Sequence, residues 1–91
     1  MPGPYEVKLT KRARKELAAL DRVTQRRIDR RLLELAAEPF PPDVEKLSGI
    51  DEDWYRVRVG AYRIIYAVDA GCLVVLVIRI GHRREIYKRI R

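Results

Sequence analysis

Three arginines stand close together in a stretch that otherwise alternates with valine, isoleucine and tyrosine. They are Arg56, Arg58 and Arg63, in the segment WYRVRVGAYRIIYAV at residues 54–68. Arginine suits phosphate recognition, because its planar guanidinium binds two phosphate oxygens at once and stays charged. The spacing therefore indicates a site for a phosphate-bearing ligand, provided that the three side chains share one surface.

Side-chain alternation decides whether the three arginines meet. With Gly60 and Ala61 as a two-residue hairpin loop, Arg58 lies opposite Arg63, and Arg56 shares their face. The other face, which suits packing against helices, carries Tyr55, Val57, Val59, Tyr62, Ile64 and Tyr66. Like charges opposite each other destabilise a sheet, and no acid of these two strands alternates onto the arginine face. Either the arginines spread apart in water, or a phosphate binds between them.

A second group of polar residues surrounds the end of the last predicted strand. Residues 78–87 read IRIGHRREIY and add Arg79, His82, Arg83, Arg84 and Tyr87. Loops held at strand ends often carry function, because a rigid scaffold positions them. His82 is either an exposed turn residue or a minor candidate for acid–base work. Tyr87 is either a polar ring near the arginines or an anchor packed on the core.

Composition narrows the class of partner. The 91 residues include 20 Lys and Arg against 13 Asp and Glu, a formal net charge of +7. This excess favours a polyanion such as nucleic acid. The alternative is a charge-rich protein of a heat-loving organism, with paired arginines.

A single cysteine and a single histidine exclude an internal disulfide and a His/Cys zinc site within one chain. No acidic cluster suits magnesium, so we expect no metal and no cofactor. The absence of a leader and of a long apolar run leads us to expect a cytoplasmic protein without membrane contact.

Apolar periodicity predicts the elements that position these residues. Residues 5–9 alternate as a strand, Thr10 and Asp21 are expected to cap two helices, and Pro39 is expected to end the second. The predicted apolar faces are Ala13, Leu17 and Leu20 in the first helix and Val23, Ile28, Leu32, Leu35 and Ala36 in the second. Residues 39–53 read as a connector, mostly loop, and residues 73–80 as a central strand.

These elements predict a fold class. A helical hairpin packs on a mostly antiparallel four-stranded sheet, an α+β fold of order β-α-α-β-β-β, and residues 84–90 form a short final helix or tail. We expect one domain spanning residues 1–91.

The polar side of the second helix carries four arginines, Arg26, Arg27, Arg30 and Arg31. They either grip RNA or form a solvated face with Asp29 and Glu34.

Three segments carry a further signal. Residues 46–49 read KLSG, residues 54–66 read WYRVRVGAYRIIY and residues 81–87 read GHRREIY. These segments and the order of elements resemble the RelE family of toxins, within the RelE/ParE superfamily of toxin–antitoxin pairs. The resemblance implies a fold similar to microbial ribonucleases and an endoribonuclease that cuts mRNA in the ribosomal A site. It also implies an acidic RelB-like antitoxin, and hence a heteromeric complex.

The resemblance further implies roles for individual residues. The catalytic set falls on Arg56, Arg58, Arg63, Arg83 and Tyr87. The basic residues of this chain, apart from those family positions, lead us to expect contacts to RNA and ribosome from Arg26, Arg27, Arg30, Arg31, Arg79, His82 and Arg84. Some relatives carry lysine at the positions of Arg56 and Arg58, and arginine cannot take over a lysine's role in accepting a proton.

The expected reaction is attack of a ribose 2′-hydroxyl on the adjacent phosphate, leaving a 2′,3′-cyclic phosphate. The arginines would stabilise the extra negative charge of the transition state, and Tyr87 would stack on a base or transfer a proton. Two alternatives stay open. One is a ParE-like inhibitor of DNA gyrase, and the other is a basic RNA-binding relic that cuts nothing.

Overall fold

The computed structural model describes residues 4–88, which contain two helices and five strands. In chain order they are β1 (Glu6–Leu9), α1 (Lys11–Ala18), α2 (Arg22–Ala37), β2 (Glu45–Lys46), β3 (Tyr55–Val59), β4 (Tyr62–Asp69) and β5 (Val74–His82). The predicted α+β class is confirmed. The strand count is corrected, because the connector contains β2, a strand of two residues that adds a fifth member to the sheet.

The strands form a single sheet in the order β1-β5-β4-β3-β2. β1 runs parallel to β5, and the other neighbours are antiparallel. β5 lies between β1 and β4, so it is an interior strand, as its apolar sequence predicts, although β4 occupies the middle of the five. The hairpin register is the predicted one, with Val59 opposite Tyr62 and Arg58 opposite Arg63.

Both helix caps form as predicted. The Thr10 hydroxyl accepts a hydrogen bond from Ala13 N (3.1 Å) and donates one to Ile78 O (2.9 Å). Asp21 Oδ2 accepts from Thr24 N at 3.2 Å. α2 ends at Ala37, two residues before Pro39. The caps therefore fix where each helix starts, and Thr10 also ties α1 to β5.

The helices pack on one face of the sheet. The buried cluster there comprises Ala13, Ile28, Leu32, Leu35, Val57, Ile64, Tyr66, Val75, Val77 and Ile80. Val23, predicted to begin the α2 stripe, is instead exposed. It precedes Ile28 by five residues, which places it about 140° around the helix from the buried side.

The opposite face, called here the outer face, is partly covered by residues 83–88. Residues 83–88 form turns, called here the C-terminal turn, and no helix begins there within the described residues. Ile86 is fully buried, and a Cβ added at Gly81 would lie 3.5 Å from Ile86 Cβ. The absence of a side chain at Gly81 thus lets the C-terminal turn pack closely. The rest of the predicted helix or tail lies outside the described residues.

Between residues 4 and 88, neither helix has the length and apolar character needed to cross a membrane.

Candidate nucleic-acid site

A carboxylate from β2 lies among the arginines of the outer face. Glu45 pairs in register with Arg56, and its Oε1 lies 3.1 Å from Arg56 Nε and 3.8 Å from Arg58 Nη2. The hydrogen bond from Arg56, and then its charge, lower the pKa of Glu45. Glu45 is therefore the anion that the two hairpin strands lack. The sequence did not reveal it, because a strand of two residues is too short to show alternation.

Arg56 joins this carboxylate to an aromatic ring. Its Nη1 donates a hydrogen bond to the Tyr87 hydroxyl, and its Cζ lies 5.4 Å from the centre of the Tyr87 ring. The contact with Glu45, followed by that with Tyr87, raises the pKa of Arg56. Tyr87 is 40% exposed. Of the two predicted positions for Tyr87, the structure has the polar ring beside the arginines.

A cleft of about 230 Å³ lies beside this pair. It is lined by Lys46, Leu47, Ser48, Arg56 and Tyr87. It combines two cations, a hydroxyl and an accessible aromatic ring. Such a set can hold a phosphate next to a stacked base. We call it the Tyr87 cleft.

Arg58 and Arg63 lie opposite each other on the two hairpin strands, but their side chains differ in exposure and in hydrogen-bond partners. Arg63 is only 8% exposed, and its Nη1 donates to Gly60 O (3.0 Å) and Tyr62 O (2.9 Å). The Arg58 side chain is 63% exposed. The predicted like-charge conflict is thus relieved, because Arg63 turns towards the carbonyls of its own hairpin while Arg58 extends into solvent.

The segment after β5 approaches the tip of the same hairpin. Arg83 N donates to Ala61 O at 2.8 Å, and the His82 ring meets the Tyr62 ring edge-on at 5.7 Å. His82 Nδ1 accepts from Arg84 N at 3.2 Å. The Arg83 and Arg84 side chains are exposed and make no ion pair with an acid of residues 4–88. Both guanidinium groups are thus available to an external anion.

Arg79 requires a correction. It was expected to contact RNA, but it is 6% exposed, and its Nη2 lies 2.7 Å from Glu16 Oε2 of α1. Its Nη1 donates to Ile86 O and Lys88 O, each at 3.1 Å. Arg79 lies on the outer face where the C-terminal turn covers it, so it ties that turn to α1 and does not face solvent.

The arginines of α2 divide into two groups. Arg26, Arg27 and Arg30 are exposed. Arg31 is taken up by acids, with Nη2 2.7 Å from both carboxylate oxygens of Asp43 and Nη1 3.1 Å from Glu34 Oε1. The first three can contact an external partner, whereas Arg31 mainly fixes the connector against α2.

Possible metal ligands do not gather anywhere in the described part of the chain. No group of three or more His, Cys, Asp or Glu side chains there is placed to hold an ion.

Comparison with known proteins shows which family this chain matches. Residues 7–87 match the model of the ParE toxin of the type II toxin–antitoxin system parDE. Toxin RelG of Mycobacterium tuberculosis is 31% identical over 90 residues, which cover 94% of this chain and 99% of RelG.

Solved structures with the same architecture come from RelE proteins. In the archaeal RelE–RelB complex of Pyrococcus horikoshii, the matched chain is 35% identical, with a TM-score of 0.77 and coverage of 90% of this chain and 98% of that one. The intact RelBE toxin–antitoxin complex of E. coli gives 29% identity, a TM-score of 0.75, and coverage of 86% and 95%.

Proposed function

We propose that this chain, which belongs to the RelE/ParE family of type II toxins, is an endoribonuclease that cuts mRNA in the ribosomal A site and so inhibits translation. The observation that supports this most is the joining of Arg56, Glu45 and Tyr87 beside the exposed Arg58. A toxin that acts by binding alone has no need of a site that cleaves a phosphodiester.

The reaction that suits this site is transesterification within the RNA. The 2′-oxygen forms a bond to the neighbouring phosphorus and the bond from phosphorus to the 5′-oxygen breaks, which leaves a 2′,3′-cyclic phosphate and a 5′-hydroxyl. The 2′-hydroxyl loses its proton and the leaving 5′-oxygen gains one, so the step balances without a co-reactant.

Three arginines supply the charge that this reaction needs. Arg56, Arg58 and Arg83 lie on or beside the outer face and would stabilise the extra negative charge on the phosphoryl oxygens. Arg63 is nearly buried and its Nη1 donates to the carbonyls of its own turn, so it would hold the hairpin tip and not contact the phosphate. Tyr87 would stack on the base next to the scissile bond. The loss of one well-placed donor typically lowers the rate about 10²-fold or more.

Dependence on the ribosome is supported by what the outer face lacks. Glu45 accepts a hydrogen bond from Arg56, and His82 Nδ1 accepts one from a backbone amide. The two groups therefore do not form a free acid–base pair for proton transfer. A nuclease with such a site depends on its substrate being positioned for it, and positioning can supply several kcal/mol of the barrier. Action on ribosomes places the protein in the cytoplasm. Arg26, Arg27, Arg30, His82 and Arg84 would then contact RNA.

An acidic antitoxin is the proposed protein partner. The net charge of +7 favours such a partner, and related RelE chains are solved with RelB. We propose a RelB-like protein that covers the arginine face in a heteromeric complex. Co-expression with the neighbouring open reading frame, followed by purification, tests this; a neighbour without acidic character that fails to co-purify would contradict it.

The nuclease is tested by primer extension on mRNA with purified ribosomes, alongside naked mRNA. We expect new 3′ ends at the A-site codon with ribosomes only, and their loss with Arg83→Ala. The matched control is Arg14→Ala, which removes an exposed arginine of α1 far along the chain from the hairpin. Cuts on naked mRNA would contradict ribosome dependence, and the absence of cuts in both samples would contradict nuclease activity.

A second candidate follows from the family model, which is named for ParE. A ParE-like protein would inhibit DNA gyrase by binding, and a supercoiling assay with purified gyrase distinguishes it. Inhibited supercoiling without RNA cleavage would favour this candidate, whereas RNA binding without either activity would indicate a relic.

A further inference from the structure

A second basic cleft lies next to the hairpin tip, on the side of α2. It has a volume of about 230 Å³ and is lined by Arg27, Arg30, Arg31, Glu34, Arg58, Val59 and Gly60. Pairing of β2 with β3 involves only Tyr55 and Arg56. In the described part of the chain, β3 beyond Arg56 is thus an open sheet edge, and the cleft lies along that edge. We call it the Arg27 cleft.

Helix and hairpin both determine the shape of this cleft. Arg27 and Arg30 are three residues apart in α2, so they lie on neighbouring positions of one helix face. A Cβ added at Gly60 would lie 2.9 Å from Arg27 Nη2, and Gly60 has a φ of 59°. The turn therefore needs glycine for its backbone, and the space left without a side chain is where the Arg27 guanidinium lies.

The charges of the Arg27 cleft are only partly balanced. Arg31 is neutralised by Asp43 and Glu34. By contrast, Arg27 and Arg30 make no ion pair with any acid of residues 4–88, and Arg58 reaches Glu45 only at 3.8 Å. Three guanidinium groups with unused hydrogen-bond donors thus surround a small open space, which is the composition of a phosphate site.

The Arg27 cleft adjoins the Tyr87 cleft. Arg58 lines the former and Arg56 lines the latter. These two arginines are two residues apart on one face of β3, which separates their Cα atoms by about 7 Å. One extended polyanionic chain can therefore pass from one cleft to the other along β3.

We propose that the Arg27 cleft binds a backbone phosphate of the same RNA strand, next to the nucleotides held in the Tyr87 cleft. This inference rests on the proposed function, because it takes RNA as the ligand. Val59 is the one apolar side chain among the lining residues. A protein partner usually anchors large side chains in a well-packed, desolvated pocket, whereas this lining is open and almost wholly charged, so it favours a phosphate over an acidic protein segment.

The test measures binding separately from cleavage. A single-stranded RNA with 2′-O-methyl groups cannot be cut by 2′-hydroxyl attack, so its affinity is measured at several salt concentrations. Each phosphate contact on single-stranded RNA contributes about 0.7 to the slope of log affinity against log salt. Arg27→Ala/Arg30→Ala removes the contact to one phosphate, so we expect a slope smaller by about 0.7 and binding at least about tenfold weaker at low salt.

Two further variants serve as controls. Arg14→Ala/Arg22→Ala also removes two exposed arginines, and neither residue lines the Arg27 cleft. Arg27→Lys/Arg30→Lys keeps the charges and loses the planar guanidinium, so we expect an unchanged slope with weaker binding. Thermal unfolding of each variant confirms that it is folded.

Several outcomes would overturn the proposal. One is an unchanged slope in Arg27→Ala/Arg30→Ala, and another is an equal decrease in Arg14→Ala/Arg22→Ala, which would reflect overall charge alone. A variant that loses affinity for polyglutamate but not for RNA would assign the cleft to an acidic protein. The wild-type protein could also fail to cut mRNA while Arg27→Ala/Arg30→Ala shows the expected smaller slope. That result would contradict the nuclease and leave this inference standing.

Discussion

Glu45 Oε1 lies 3.1 Å from both Nε and Nη2 of Arg56, and this contact joins the shortest strand of the sheet to the arginine face. It leaves Arg56 Nη1 directed at Tyr87. The guanidinium at the centre of the candidate site is therefore held in place by the protein's own carboxylate before any substrate binds. Such preorganisation lowers the cost of assembling the site.

Replacing this carboxylate should separate binding from catalysis. In Glu45→Gln the site loses a negative charge, so we expect several-fold tighter binding of non-cleavable RNA. We also expect several-fold slower cleavage under single-turnover conditions, because Arg56 is no longer held by an anion. Asp51→Asn, a neutralised acid in the same connector, should change neither quantity. Equal changes in both variants would remove Glu45 from its proposed positioning role.

Acid should weaken the contacts that fix the connector. Hydrogen bonds from Arg31 and Arg56 lower the pKa values of Asp43 and Glu45. A lowered pKa in the folded state means that the stabilisation is complete above the unfolded-state value, near pH 4, and is lost as the pH falls further. Thermal unfolding from pH 7 to pH 2.5 should show this loss. A curve of the same steepness for Asp43→Asn/Glu45→Gln would contradict it.

Breaking the pair of Arg79 and Glu16 should be strongly destabilising. Glu16 also accepts a hydrogen bond from Ile80 N at 2.9 Å. Glu16→Ala leaves a nearly buried guanidinium without its carboxylate, and we expect a loss of about 3 kcal/mol in the free energy of unfolding. Urea denaturation measures it. The double variant Glu16→Ala/Arg79→Met should lose less than the two single changes summed, and simple additivity would refute the coupling.

The Tyr66 hydroxyl should contribute a smaller amount. Tyr66 is fully buried, burial raises its pKa, and its hydroxyl donates to Pro39 O at 2.7 Å. Tyr66→Phe leaves that carbonyl unsatisfied and should cost about 1–2 kcal/mol in unfolding free energy. The hydroxyl of Tyr62 makes no hydrogen bond within residues 4–88, so Tyr62→Phe should be nearly neutral in the same denaturation experiment.

A side chain at Gly60 should lower both the stability of the protein and its affinity for RNA. A side chain at its positive φ costs about 1–2 kcal/mol, and the added Cβ also displaces Arg27. Gly60→Ala should thus lower stability by that amount and weaken RNA binding in parallel. At Gly71, where no positive φ is required and Asp69 Oδ1 would be 3.5 Å from a Cβ, alanine should be harmless. Equal stability losses at the two glycines would contradict this account.

Sequence patterns predicted the parts of the fold that depend on local rules. The caps at Thr10 and Asp21, the buried side of α2 from Ile28 onwards and the register of Arg58 with Arg63 all follow from periodicity and turn chemistry. Each needs only a short stretch of chain. These rules therefore sufficed to place three arginines around one hairpin.

The remaining features depend on contacts distant in sequence. Glu45 reaches Arg56 through a two-residue strand, which gives no periodic signal. Arg79 stands in an apolar strand, and its charge alone predicts a surface cation, because nothing local reveals that Glu16, 63 residues earlier, binds it. Arg63 turns to the carbonyls of its own turn, a choice that alternation cannot predict.

The C-terminal turn has a consequence for populations of molecules. Ile86 inserts beneath Gly81, Arg79 holds the carbonyls on either side of Tyr87, and Tyr87 itself completes the candidate site. Detachment of this segment would expose an isoleucine and a buried cation and would also remove the tyrosine from Arg56. Under the proposed function, only molecules with this segment attached hold a complete site, so a partner that captured the detached segment would lower the active fraction by mass action, a route distinct from covering the arginines.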